Sequence, residues 1–463
     1  MKETLKDNMK MLVIFIIAGS LLTVAQSIIT TGVVYLMSDF SVTSTQAQWS
    51  YSAFLLVVGV MIPLSAFISR RFTARTIFMF SLFTFLIGSV ICYFSNSLLV
   101  LIIGRILQAI GNGIMMPYTQ IFLLRIIPED KWQTYMGFYG LVLAIAPVLG
   151  SFLGGFVITF YGWRELFTFF TIASIIVMAL GLAFVKDDNQ GTDYPLDWAS
   201  VALSIIGCAG VMLGFTNIAD YGLAHHLVIA PIIIGVVTLT LFVNRQPKLE
   251  NPLINLSILK NKYFLIGTIF ISILFGCLNA CTALIPVFIQ GVAYNSAIIS
   301  ASVLLPGGLL IILFNIIGPL LANSIGIKKV LIIGCIFSII GFASMMFYTQ
   351  DSSFEFMTIT QTIRFMGFGL VLMPATTWTL TMVSDKVEDG TAVNNTLRQI
   401  AAAIGSSLGI VIVAILAGGN IGHDLASVVA FNQTSMIMLA LHVILLILAI
   451  VYIDEKEKIL SSN

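Results

Sequence analysis

Charge is scarce in this sequence. Only 9% of its 463 residues are Asp, Glu, Lys or Arg, while 59% are hydrophobic. A soluble domain carries roughly 25% charged residues, so the shortage excludes a water-soluble globule. With a mean hydropathy of +1.04 and about 20 apolar residues needed per crossing, the fold class is an all-α integral membrane protein. The 22 basic and 21 acidic residues leave a net charge of +1, too little to hold nucleic acid. Cys92, Cys208, Cys277, Cys281 and Cys335 lie inside apolar runs with no CxxC pair, which excludes a disulfide framework and a zinc site. There is no HExxH, no Walker loop and no metal-ligand cluster, so neither metal nor cofactor is expected. Gly405-Ser406-Ser407-Leu408-Gly409 spells G-x-S-x-G, but it lies in an apolar helix where the nucleophile motif requires a strand-turn-helix elbow. We read it as helix packing and expect no enzyme.

What the sequence has is long apolar runs. Fourteen spans are expected, at 11–37, 50–69, 76–95, 98–124, 134–160, 165–185, 198–218, 226–243, 263–290, 297–322, 330–348, 356–383, 393–418 and 432–453. The first follows three lysines and is too long for a signal-peptide core, so it is read as a retained helix. If the amino terminus is cytoplasmic, eighteen of the 22 basic residues fall on inner segments, only Arg164 falls on an outer one, and Arg105, Arg364 and Arg398 lie within spans. The positive-inside rule therefore puts both termini in the cytoplasm. Removing the pair 198–243 leaves six helices on either side. The expected organisation is an amino-terminal six-helix bundle (1–185), a two-helix insertion with its linkers (186–262), and a carboxy-terminal six-helix bundle with a short tail (263–463). A faint internal echo agrees: Arg105 through Gly-x-Gly to Met116-Pro117, and Arg364 through Gly-x-Gly to Met373-Pro374.

Arginine at a helix centre costs about 2.5–3.5 kcal/mol on insertion scales, so each needs a reason. Arg105 is the strongest functional candidate. Gln108 lies one turn on, and Gly104, Gly111 and Gly113 admit a close neighbouring helix. Arg364 and Arg398, nearer their expected span ends, fit snorkelling or an ion pair equally well. No carboxylate falls near the middle of a span. Asp39, Glu165 and Glu355 at outer helix ends remain for proton exchange. His442, midway along the last span, titrates in a useful range but also reads as a packed histidine. Pro147, Gly150, Gly154 and Gly155 mark a fifth helix able to bend and pack closely. Amides, methionines and aromatics that suit a cavity for varied apolar molecules are Gln26, Asn112, Met115, Met116, Tyr118, Gln120, Phe138, Tyr139, Asn279, Gln290, Met373, Trp378, Asn394 and Asn395.

These segments carry a resemblance to a known family. Gln48-Trp49, Arg71-Phe72-Thr73-Ala74-Arg75, Gly104-Arg105 with Gln108, the Pro147/Gly150/Gly154/Gly155 run and Asn394-Asn395-Thr396-Leu397-Arg398-Gln399 together resemble the major facilitator superfamily. Within it the chain is similar to the fourteen-helix drug:proton antiporters of the EmrB/QacA type, especially lincomycin and multidrug exporters of Gram-positive bacteria. The likeness implies two rocking six-helix bundles, with Arg71 and Arg75 in a conformational motif and Arg105, Gln108 and Arg398 serving transport. Three positions depart from the family pattern. Gln26 stands where the first helix often has an acid, Arg70 where the loop after the second helix usually has aspartate, and Asn323 at the related acid position in the second half. The expected function is proton-coupled efflux of lipophilic or amphiphilic compounds across the cell membrane. Its expected partners are the small lipophilic substrate, protons and the bilayer, with the chain a monomer. The alternative is an exporter or facilitator of a lipid, peptide or metabolite without proton coupling through a midspan acid.

Overall fold

A helix lets an isolated segment in lipid satisfy its own backbone polar groups, and every regular element described here is helical. The computed structural model describes residues 2–42, 44–187, 195–293, 297–418 and 425–454. Its long helices, in chain order, are α1 (Lys2–Ile28), α2 (Gln46–Arg71, with a 3-10 turn around Pro63), α3 (Ala74–Tyr93), α4 (Leu98–Ile126), α5 (Trp132–Tyr161), α6 (Glu165–Phe184), α7 (Trp198–Thr216) and α8 (His226–Arg245). They continue with α9 (Lys262–Val292, ending in a π turn after Pro286), α10 (Ala297–Ile325), α11 (Ile327–Met345), α12 (Phe354–Thr381), α13 (Val387–Leu416) and α14 (Leu425–Tyr452). Among the described residues, 13 helices are long and apolar enough to cross a membrane. The 30-residue α5 covers the fifth expected span.

Side chains at the starts fix several boundaries. Ser97 accepts from the Val100 amide at 3.4 Å, Ser353 from Phe356 at 3.2 Å, and Asn261 from Tyr263 and Phe264 at 3.0 and 3.1 Å, each satisfying an orphan donor. Gly162 and Gly326 turn the chain after α5 and α10 with φ of 93° and 88°, a conformation glycine adopts without strain.

Two expected spans need revision. The stretch 11–37 is not one helix: α1 ends at Ile28, a 3-10 turn covers Ile29–Gly32, and a short helix runs Val33–Phe40. The stretch 393–418 begins earlier, at Val387, so Glu388 and Asp389 stand in the first turn of α13.

The helices pack as two sets. In the first, α4 contacts α1, α2 and α3, while α6 packs on α3; in the second, α12 contacts α9, α10 and α11, while α14 packs on α11. Two seams join the sets, α5 against α10 and α12, and α13 against α2 and α4. Helix α7 lies against both α2 and α13, with α8 outside it. The inserted pair therefore covers one of the seams. Asp197 clamps that pair, accepting from the Ser200 amide at 3.1 Å and from Arg245 Nε and Nη2 at 2.7 and 3.0 Å. The Arg245 bonds, joined by the Ser200 hydroxyl, hold its carboxyl well below the usual carboxylate range.

Close glycine contacts give the register between the sets. A Cβ on Gly111 would lie 2.3 Å from the Ser81 carbonyl of α3, and one on Gly367 would lie 2.5 Å from the Gly334 carbonyl of α11. A Cβ on Gly113 would meet Met61 and Val58 of α2, and one on Gly369 would meet Phe314 and Ile311 of α10. Gly88 abuts Gln108, as Gly341 abuts Arg364. Matching these contacts sets Gln108 opposite Arg364 and Arg105 opposite Gln361. The sequence echo, read from arginine to arginine, is therefore out of register at its start, although its Gly-x-Gly pairs do correspond.

Candidate translocation site

Arg105 is 0% exposed, so it does not snorkel. Its Nη1 donates to the Ala25 carbonyl at 2.9 Å and to Gln108 Oε1 at 2.8 Å, Nη2 to the Gln26 carbonyl at 3.2 Å, and Nε to the Ser50 carbonyl at 3.1 Å. Gln108 in turn donates to Ser89 at 2.8 Å. The guanidinium also lies 4.3 Å from the Phe54 ring centroid. Its partners on α1 are backbone carbonyls next to the change from α to 3-10 geometry, where the regular i to i−4 ladder is interrupted and the helix presents partial negative charge. Arg105 is thus a staple joining α4 to α1 and α2, and it has no carboxylate partner among the bonds described.

Arg364 is also 0% exposed, but its pairing differs. Nε donates to Gln361 Oε1 at 2.9 Å, and Gln361 donates to the Tyr348 hydroxyl at 3.0 Å. Nη1 and Nη2 have no partner in the structure. The Phe365, Phe368 and Phe342 rings surround the guanidinium at 4.5, 5.5 and 5.8 Å. His442 packs on Phe342 at 4.5 Å, and its Nδ1 pairs with the Met438 carbonyl at 2.9 Å. This histidine is a packed member of the second set.

Amides lie midway along α4 and α13. Asn395 donates to Gln120 Oε1 at 3.0 Å, linking the two sets. Asn112 receives the Thr23 hydroxyl at 3.4 Å and leaves its own Nδ2 without a partner; both side-chain polar atoms of Asn394 are unpartnered as well. Arg398, one turn beyond Asn394, is 4% exposed, has an unpartnered Nε and rests 5.0 Å from the Phe275 ring. Neither snorkelling nor an ion pair accounts for it. Tyr139 of α5 is near enough to feel its charge and donates to the Met116 carbonyl at 2.9 Å. Met115, Tyr118 and Met373 are buried, whereas Phe138 and Gln290 are exposed.

Other expected cavity residues go elsewhere. The Trp378 indole donates to the Asp454 carbonyl at 2.7 Å, tying α12 to the end of α14. Asn279 turns back on its own helix, donating to Phe275 at 2.8 Å. Gln26 contributes its backbone carbonyl to Arg105.

A latch, not legible in the sequence, closes one end. On the face where α2, α4, α12 and α14 finish, here the basic face, Arg70 pairs with Asp389 across the seam. Arg125 donates to Glu388 Oε1 at 2.8 Å and to the Ser69 carbonyl at 3.3 Å. Asp389, 1% exposed, also accepts from the Asn255 amide at 2.7 Å. Across the other seam, Asn323 donates to Thr134 at 2.9 Å and Gln133 to the Pro374 carbonyl at 3.4 Å. In this latch the cation comes from the end of α2 and the acid from the start of α13. Arg71 and Arg75 flank the short turn between α2 and α3.

Asp39 lies beyond α1 on the opposite face. It accepts from the Trp163 indole and from Arg164 Nη1, both at 2.8 Å. The indole bond first, then Arg164, holds its carboxyl below the ordinary range. Glu165 opens α6 and Glu355 the first turn of α12. Gly150 lies against Ser27 and Val24 of α1, and Gly154 is buried in α5. The side chains of Pro147 and Gly155 lie outside the described residues. In the G-x-S-x-G run, a Cβ on Gly405 would lie 2.1 Å from the Gly276 carbonyl of α9, and Gly409 faces Ala280 and Leu284. That run is a helix contact.

Two sets of membrane-length helices joined at seams that hold buried polar groups are the architecture of a membrane transporter. The chain belongs to the Major Facilitator Superfamily, whose model matches residues 15–406. It is 31% identical to the MFS-type transporter YcnB of Bacillus subtilis over 87% of this chain and 85% of that protein. It is 30% identical to the lincomycin resistance protein LmrB of the same organism, over 91% and 88%. Its fold matches the structure of the proton:xylose symporter XylE with a TM-score of 0.61, at 15% identity over 94% and 95% of the two chains.

Proposed function

We propose that this protein exports lipophilic or amphiphilic compounds across the cell membrane by alternating access, driven by proton antiport, with the basic face in the cytoplasm. The carrying observation is the pairing of a closed basic face with buried polar groups left unpartnered midway along α4 and α13, at Asn112, Asn394 and Arg398. Buried polar groups are normally satisfied, so such a cluster suits a site that pairs with cargo when the sets part. The relative named for lincomycin resistance supports an export role. Arg105 holds α1 and α2 in place, and Asp389 is the acid positioned to exchange a proton when Arg70 leaves it.

Everted vesicles containing the full chain test this. Uptake of a lipophilic fluorophore should follow an imposed pH gradient and stop when the gradient is collapsed. The confinement of acids to helix ends favours a second reading, export without proton coupling. Transport that continues after collapse would establish that reading instead.

A further inference from the structure

The ion pairs between α4 and α13 gather at the basic face, where Arg125 meets Glu388, whereas midway along α13 the charged side chain among the described residues is Arg398. Arg398 and Asn394 lie one turn apart on α13, and i, i+4 residues share a helix face. Arg398 has an unpartnered Nε, and Asn394 has a donor and an acceptor both unpartnered. Arg398 Nε and Asn394 Nδ2 thus give that face of α13 two unpartnered donors beside the one unpartnered acceptor of Asn394. The acids that share α13 with Arg398 are Glu388 and Asp389 in its first turn, and both are engaged by arginines of the first set. A cation entering the seam would meet a buried guanidinium and find no carboxylate to receive it. In a medium of low dielectric constant that repulsion is poorly screened, and a buried unpaired charge is strongly unfavourable.

We propose that the cargo is an amphiphile whose polar end is an anion, such as a carboxylate or sulfonate, received by Arg398 and Asn394, with its apolar body against Phe275 and Tyr139. Neutral compounds of the same shape are carried more slowly, and cationic ones are rejected. This deepens the export reading and rests on it. The anion supplies acceptors that match the spare donors, and its charge compensates Arg398.

The test uses everted vesicles holding the full chain and three probes on one ring system: anilinonaphthalene sulfonate, neutral N-phenylnaphthylamine, and a trimethylammonium derivative. The anion should be exported fastest, the neutral probe more slowly and the cation at background. Arg398→Gln should slow the anion by about tenfold relative to the neutral probe, as expected for losing one hydrogen bond to a charged group. Arg398→Lys, which keeps the charge, should retain the preference for the anion. Export of the cation as fast as the anion would overturn the proposal while leaving the export reading intact. So would an Arg398→Gln variant that slows anion and neutral probe equally. Failure to export any of the three would overturn the export reading and the proposal with it.

Discussion

Arg364 occupies in the second helical set the place that Gln108 occupies in the first, and Gln361 the place of Arg105. The glycines around them impose this register, since Gly88 abuts Gln108 as Gly341 abuts Arg364. The same two residue types are therefore transposed between the sets, with different results. Arg105 reaches the carbonyls of α1 and α2, whereas Arg364 is left with two unpartnered terminal nitrogens among aromatic rings. The two arginines differ in their partners, and the first one joins α4 to α1 and α2.

Replacing Arg105 with alanine should bring efflux to background while the protein still reaches the membrane. Three backbone carbonyls would lose their donor, each loss costing about 1–3 kcal/mol when the group stays buried. Vesicle transport together with immunoblotting of the membrane fraction checks this. Efflux at the wild-type rate would remove Arg105 from the mechanism.

The latch makes a charge-exchange prediction. Arg70→Asp and Asp389→Arg should each impair transport, and the double exchange should recover part of it. The pair crosses the seam and one partner is buried, so a double-mutant cycle on thermal stability should return a coupling of about 0.5–3 kcal/mol. Additive effects would show that the contact does not hold the face closed.

Asp39 provides a pH prediction whose sign follows from its lowered pKa. Its bonds to Trp163 and Arg164 stabilise the fold fully above the unfolded carboxyl value of about 3.9, and that contribution fades as pH falls through the lower folded value. The stability difference between wild type and Asp39→Asn should thus be constant from neutral pH to about pH 5 and shrink below about pH 4. Because both side chains of the Arg164 pair are partly exposed, the difference should be at most about 1 kcal/mol. Proton-driven efflux should survive in Asp39→Asn and fail in Asp389→Asn; the reverse would move the proton to the opposite face.

Gly405→Val should destabilise the protein by about 1–3 kcal/mol or more through overpacking, because its Cβ would press on the Gly276 carbonyl. Ser406→Ala should leave stability and transport unchanged. A loss of activity confined to Ser406→Ala would reopen a chemical role for that run.

Much of the architecture could be read directly from the sequence. Long apolar runs in a bilayer have to become helices, so the approximate ends of most spans followed from hydropathy. The family likeness followed from short motifs such as Gly104-Arg105 and Asn394-Asn395. Two boundaries were hidden for physical reasons. The break after Ile28 changes hydrogen-bond geometry without changing hydropathy, and the start of α13 contains two acids that look like loop until their arginine partners are known. The site was less legible still, because Trp378 and Asn279 match a cavity residue by type but spend their polar groups on nearby backbone.

The sequence by itself determined that the chain is a bundle of membrane helices, that its basic residues gather on one face, and that its spans lack central acids. Those are sums over residues, and composition and order suffice for them. Only the tertiary structure decided that Arg70 faces Asp389, that Arg105 is satisfied by carbonyls, and that the Asn394 amide and the Arg398 Nε are left without partners. Pairing depends on which helix faces are brought within about 3 Å of each other, and that is a property of packing between residues far apart in the chain.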